Sequence, residues 1–78
     1  MKKIHVLGTG CPKCVQLMAN AEEAVKLTGH DCEIEKVTDI TKIVEFGVMT
    51  TPALVVDGRV AVAGRVASVD EIKKLLGE

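Results

Sequence analysis

The most constraining feature of the sequence is a pair of cysteines, Cys11 and Cys14, placed where a strand pattern gives way to a helix pattern. Residues 2–7 form a short segment with β-branched side chains, typical of a strand, and the Gly-Thr-Gly that follows interrupts it. Pro12 favours the first turn of a helix, where its missing N–H costs nothing, and Gly29 is a natural end for that helix. The chain is therefore predicted to change from strand to helix at the cysteine pair.

The rest of the chain predicts three more strands and two more helices. Thr38 or Asp39 can cap a short helix, and Ser68 begins a capping box for the last helix. Asp57 and Gly58 lie between two β-branched runs, which is typical of a hairpin. The predicted segments after the first helix are residues 32–37, 40–46, 53–56, 59–62 and 68–76.

These elements predict one α/β domain over residues 1–78, in the order β-α-β-α-β-β-α, with a mixed four-stranded sheet flanked by helices. The first strand-helix-strand unit favours parallel pairing with a right-handed crossover, whereas the hairpin strands pair antiparallel. In the first helix, Cys14, Met18, Ala21 and Val25 recur at helical spacing and predict its buried face.

The spacing of Cys11 and Cys14 suits reversible disulfide chemistry. Residues three apart in a helix have β-carbons about 5–6 Å apart, and a disulfide joins α-carbons about 4.4–6.8 Å apart. Unpaired N–H groups at a helix start stabilise a thiolate and lower its pKa. We therefore expect Cys11, at the exposed tip, to be the nucleophile and Cys14, one turn further on, to resolve the mixed disulfide. Pro12, which starts the helix, and Lys13, which adds a positive charge, are predicted to modulate the pair.

The order of elements, the Gly-Thr-Gly-Cys-Pro-Lys-Cys segment and the Thr51-Pro52 pair before the hairpin together resemble the thioredoxin fold in its smallest form. Over nearly its whole length the chain is similar to the small thioredoxin- and glutaredoxin-like redox-active disulfide proteins of archaea and anaerobic bacteria. It departs from thioredoxins in three places: Gly10 stands where they have a tryptophan, Pro12-Lys13 where they have Gly-Pro, and His5 where they have a buried acid in the first strand.

The resemblance implies a thiol–disulfide oxidoreductase that acts through the cysteine pair without a bound cofactor. It also implies that Pro52 is cis and that Thr50, Thr51, Pro52 and Gly64 form the substrate site. The backbone of Thr51 would pair with an extended segment of the substrate. The implied partners are disulfide-containing protein substrates and a thioredoxin-reductase-like electron donor.

Composition and charge argue against several other functions. Ten Lys and Arg against eleven Asp and Glu give a net charge of −1, and Phe46 is the only Phe, Tyr or Trp residue. The sequence therefore offers neither the basic surface nor the stacking platforms of nucleic-acid binders. No apolar run is long enough to cross a bilayer, and the N-terminus lacks the apolar stretch of a signal peptide. We expect a cytoplasmic monomer that binds no nucleic acid, membrane or metal.

Two alternatives remain open for a Cys-x-x-Cys motif. Soft metals such as Cu(I) or zinc bind paired thiolates, and metal-carrying domains of similar size also place this motif before their first helix. Those domains close with a strand, whereas the last segment here has a helical pattern. A non-catalytic interaction module of the same fold is the second alternative. The third cysteine, Cys32, is expected to be a small buried strand residue.

Overall fold

The computed structural model describes residues 2–29 and 32–77, and it confirms the predicted α/β fold with a mixed four-stranded sheet and three helices. The assignment of residues 1–78 to one domain stays a prediction. The elements are β1 (Lys2–Leu7), α1 (Pro12–Thr28), β2 (Cys32–Val37), α2 (Ile40–Glu45), β3 (Ala53–Val56), β4 (Arg59–Ala63) and α3 (Val69–Leu75).

The sheet has the strand order β2-β1-β3-β4. β1 is parallel to β2 and antiparallel to β3, and β3 is antiparallel to β4. Leu7, the last residue of β1, pairs with Ala53, the first residue of β3, and Ala53 pairs in turn with Ala63 at the end of β4. The loops after β1 and β4 and the loop before β3 therefore meet at one end of the sheet.

Apolar side chains fill both faces of the sheet. The larger cluster joins the sheet to α1 and α3 and consists of Ile4, Val6, Leu17, Ala21, Ala24, Leu54, Val62, Ala67, Ile72 and Leu76. The smaller cluster joins the other face to α2 and consists of Leu7, Val37, Ile43, Val48, Ala53 and Val55. Since the strand β1 alternates between these faces, it contributes to both clusters.

The buried face of α1 differs in part from the predicted one. Its buried residues are Cys14, Leu17, Ala21 and Ala24, whereas Met18 and Val25 are only half-buried. The helix packs against α3 as well as the sheet, so the centre of its apolar face falls on Leu17 and the small alanines. The longer side chains of Met18 and Val25 cover the margin of the same cluster.

Each helix begins at a side chain that accepts a hydrogen bond from the first turn. Cys11 caps α1, Asp39 accepts from the N–H of Thr41 at 2.9 Å, and Ser68 Oγ accepts from the N–H of Glu71 at 3.1 Å. These contacts satisfy donors that a helix start leaves without intrahelical partners. None of the helices formed by the described residues combines the length and apolar character that a membrane span requires.

Candidate functional site

The cysteine pair lies at the first turn of α1. Cys11 is the N-cap, with extended backbone, and its Sγ accepts a hydrogen bond from the N–H of Cys14 at 3.4 Å. The two Sγ atoms are 2.7 Å apart, and both cysteines are free thiols. Cys11 is partly exposed, whereas Cys14 is 3% exposed. The pair therefore presents one accessible sulfur and one sheltered sulfur within bonding reach of each other.

The surroundings shift the pKa values of the two thiols in opposite directions. A hydrogen bond from the Cys14 thiol, followed by one from the Cys14 backbone N–H, lowers the pKa of Cys11 below its ordinary value. Burial, followed by the hydrogen bond to Cys11, raises the pKa of Cys14. The thiolate therefore forms first on the accessible sulfur, which is the arrangement that a nucleophile needs.

The two residues between the cysteines, Pro12 and Lys13, are exposed. Pro12 takes the first helical position, as predicted. Lys13 lowers the pKa of Cys11 through its backbone N–H. The helix start itself, more than the lysine charge, thus stabilises the thiolate.

The loop before β3 meets the loop after β4 beside this end of the sheet. The Thr51–Pro52 peptide bond is cis, as the resemblance implied, and Pro52 is buried. The N–H of Gly64 donates to the carbonyl of Pro52 at 2.9 Å. Gly64 has a φ of +78°, and a β-carbon there would lie 3.1 Å from Thr50 Oγ1. Three of the predicted substrate residues, Thr50, Pro52 and Gly64, are therefore in one tight cluster.

An apolar groove of about 370 Å³ connects this loop to the segment that precedes the cysteines. Its lining is Thr9, Ile40, Ile43, Val44, Gly47, Val48, Met49 and Thr51. Ile40 and Val44 of α2 are 65% and 62% exposed, and Met49 is 96% exposed. Thr51 thus shares the groove with Thr9, two residues before Cys11. Of the residues that line the groove, the sequence predicted only Thr51, although the exposed i, i+4 pair Ile40 and Val44 beside buried Ile43 is a readable signal.

Two other residues with reactive side chains lie apart from the cysteine pair. The ring of His5 packs against that of Phe46, with centroids 4.9 Å apart, and within the described part of the chain its buried Nδ1 has no hydrogen-bond partner. Cys32 is half-buried rather than fully buried and pairs with Lys2, at the opposite end of β1 from the cysteine motif. In residues 2–29 and 32–77, no group of three or more His, Cys, Asp and Glu side chains is placed to hold a metal.

Comparisons with known proteins agree on one family. Residues 2–77 match a family model described as a thioredoxin domain. The chain is 50% identical over 76 residues to a thioredoxin of Methanothermobacter thermautotrophicus, covering 97% of this chain and 99% of the relative. It is 45% identical over 76 residues to a thioredoxin of Methanocaldococcus jannaschii, covering 97% of this chain and 87% of the relative.

A solved structure is also similar in fold. It is thioredoxin-2, described as a component of the malaria parasite protein secretion machinery, with a TM-score of 0.76 and 13% sequence identity. The similarity covers 97% of this chain and 81% of that one. At so low an identity, this likeness bears on the fold alone.

Proposed function

Since the chain belongs to the thioredoxin family and is a thiol–disulfide oxidoreductase, we propose that it reduces protein disulfides through Cys11 and Cys14. The observation that carries this proposal is the contact of 2.7 Å between an accessible and a sheltered sulfur at a helix start. Such a pair can hold a substrate covalently for a short time and then release it.

In the first step, the Cys11 thiolate attacks one sulfur of a substrate disulfide. A bond forms between Cys11 Sγ and that sulfur, the substrate S–S bond breaks, and the second substrate sulfur leaves as a thiolate that takes up a proton. The lowered pKa of Cys11 keeps the attacking group ionised at pH values where an ordinary cysteine is protonated.

In the second step, Cys14 loses its proton and attacks Cys11 Sγ. The mixed disulfide breaks, the remaining substrate sulfur leaves and takes up a proton, and a Cys11–Cys14 disulfide remains. Two electrons and two protons have then passed from the protein to the substrate. The raised pKa of Cys14 fits this order, because Cys14 stays protonated until the mixed disulfide has formed and the Cys11 sulfur no longer carries a negative charge.

The substrate would lie across the loop before β3. Thr51 is exposed beside the buried Pro52, so its backbone is available to pair with an extended substrate segment. Thr50 lies close enough to position 64 that a β-carbon there would be 3.1 Å from Thr50 Oγ1, so the loop fits best with glycine at this position. The apolar groove next to Thr51 would take an apolar side chain near the substrate cysteine, with Met49 as an adaptable contact.

The cycle closes when an external electron donor reduces the Cys11–Cys14 disulfide. Thioredoxins receive electrons from a reductase, so a thioredoxin-reductase-like protein is the expected donor. The donor would pass two electrons to the Cys11–Cys14 disulfide, and with two protons from solvent this would restore both thiols. No cofactor needs to be bound by this chain, because the sulfurs themselves carry the electrons.

The proposal is tested by disulfide reduction together with thiol mapping. The reduced protein should accelerate the reduction of insulin disulfides by dithiothreitol, and Cys11→Ser should abolish the acceleration. Brief alkylation at neutral pH, followed by peptide mass mapping, should label Cys11 first. Cys32→Ser is the matched control, because Cys32 lies at the far end of β1, and it should behave as wild type. Preferential labelling of Cys14, or full activity in Cys11→Ser, would contradict the proposed roles.

A further inference from the structure

Gly8, the first residue after β1, lies directly beneath the sheltered thiol. It is buried, and its N–H donates to the carbonyl of Val37 at 3.0 Å. A β-carbon built on Gly8 would lie 2.9 Å from Cys14 Cβ and closer still to Cys14 Sγ. Carbon atoms do not approach so closely without a shift of one of them, so any larger residue here must displace Cys14.

The requirement at Gly8 comes from this contact and not from the backbone conformation. Its φ lies outside the left-handed region that favours glycine. By contrast, the turn glycine Gly58 has a φ of +82° but no heavy atom within 4 Å of a β-carbon built there. Substitution of Gly8 therefore tests steric contact with Cys14, whereas substitution of Gly58 tests the loss of backbone freedom.

A displaced Cys14 could not recover its place by rotating its side chain. Rotation about χ1 moves Sγ, but Cβ is fixed by the first turn of α1. The Gly8 backbone is fixed in turn by its hydrogen bond to Val37 at the end of β2. The main chain at Cys14 would therefore shift within the first turn of α1, and its Sγ would move relative to Cys11 Sγ.

We propose that Gly8 is a positioning residue, whose missing side chain leaves the recess that holds Cys14 Sγ at 2.7 Å from Cys11 Sγ. This inference rests on the proposed function, since it concerns the step in which Cys14 releases the substrate. Gly8 touches neither the substrate nor the bond that breaks, and it acts through the position of Cys14. Its substitution should affect the second step of the exchange more than the first.

The test compares Gly8→Ala with Gly58→Ala in a mixed-disulfide assay. At alkaline pH, where Cys11 is ionised in every variant, a stopped-flow reaction with a chromogenic aromatic disulfide measures formation and release of the mixed disulfide separately. Release in Gly8→Ala should be slower by about 10²-fold, the size of loss that a misplacement of roughly 1 Å can cause, while formation changes much less. Gly58→Ala should release at the wild-type rate even if its stability falls.

A redox titration against dithiothreitol gives a second readout. A merely structural role would destabilise the oxidised and reduced forms equally and leave the equilibrium between them unchanged. A positioning role should disfavour the Cys11–Cys14 disulfide in Gly8→Ala. Wild-type rates and an unchanged equilibrium in Gly8→Ala would overturn the inference, whereas a wild-type protein that never releases substrate would overturn the proposed function instead.

A double variant keeps the inference testable if Gly8→Ala does not fold. Cys14→Gly removes the two atoms that would lie within 3 Å of the added methyl group, Sγ and Cβ, and leaves only the Cys14 Cα at 3.9 Å. Gly8→Ala should therefore cost much less stability in the Cys14→Gly background than in wild type, as measured by urea unfolding of the reduced proteins. An equal cost in both backgrounds, or a double variant that fails to fold when Cys14→Gly itself folds, would show that Gly8 is needed for a reason unrelated to Cys14.

Discussion

Cys14→Ser should convert the protein from a carrier that releases its substrate into one that retains it. In wild type, Cys14 Sγ, the sulfur proposed to release the substrate, lies 2.7 Å from Cys11 Sγ before any substrate arrives. Serine is close to cysteine in size and keeps a hydrogen-bond donor beside Cys11, so the first step should continue. It cannot attack a disulfide under these conditions, so the mixed disulfide must wait for a thiol from solution.

The expected effect is large because the second sulfur is held in place. Well-oriented groups reach effective concentrations of about 10⁵ M or more, so against an external thiol at about 1 mM the internal route is favoured by roughly 10⁸-fold. If imperfect alignment removed about four of these orders of magnitude, release would still be roughly 10⁴-fold slower in the variant.

The assay follows the covalent complex by intact-protein mass spectrometry after mixing with a disulfide-bonded peptide. Cys14→Ser should carry one peptide per chain, attached at Cys11, and should lose it only when thiol is added. Cys32→Ser serves as the control and should release the peptide as wild type does. Release from Cys14→Ser at the wild-type rate, or attachment of the peptide at Cys32, would refute the assigned roles.

Three further outcomes are expected. The alkylation rate of Cys11 should fall only at pH values below the pKa of a free cysteine. Cys14→Ala should move this fall to higher pH, because it removes the thiol donor that most lowers the pKa of Cys11. An unchanged or lower midpoint of the alkylation profile would contradict the role of this hydrogen bond. Met49→Ser should raise the KM for protein disulfides, because Met49 lines the apolar groove. The free energy of unfolding should not change, because Met49 is 96% exposed. An equal rise in KM for Leu27→Ser, an exposed apolar residue outside the groove, would exclude a role of the groove. Ser68→Ala should lower the free energy of unfolding in urea by about 1 kcal/mol through loss of the α3 cap, and Ser68→Asp should retain most of it; the same loss in both would rule out capping.

Features that depend on neighbours in the sequence were predictable. The proline after Cys11 and the capping pattern at Ser68 fix where α1 and α3 begin, and Asp57-Gly58 fixes the hairpin. Each of these signals works through hydrogen bonds and backbone angles within a few residues. The position of the cysteine pair at a helix start therefore followed from the sequence alone.

Features that depend on packing between distant elements were harder to predict. The shift of the buried face of α1 towards Leu17 reflects contact with α3, which a helical repeat cannot reveal. The apolar groove joins Thr9 to α2 and Met49, segments that come together only through the sheet order. The need for glycine at position 8 likewise appears only when Cys14 is placed above it.

Two of the hydrogen bonds that hold the loops around the cysteine pair join main-chain atoms only. The Gly64 N–H bonds to the Pro52 carbonyl, and the Gly8 N–H bonds to the Val37 carbonyl. Mutation of a neighbouring side chain leaves both of these links in place. Under the proposed function, substitutions at exposed groove residues such as Met49 and Val44 would alter which proteins bind, while these main-chain links around the cysteine pair remain.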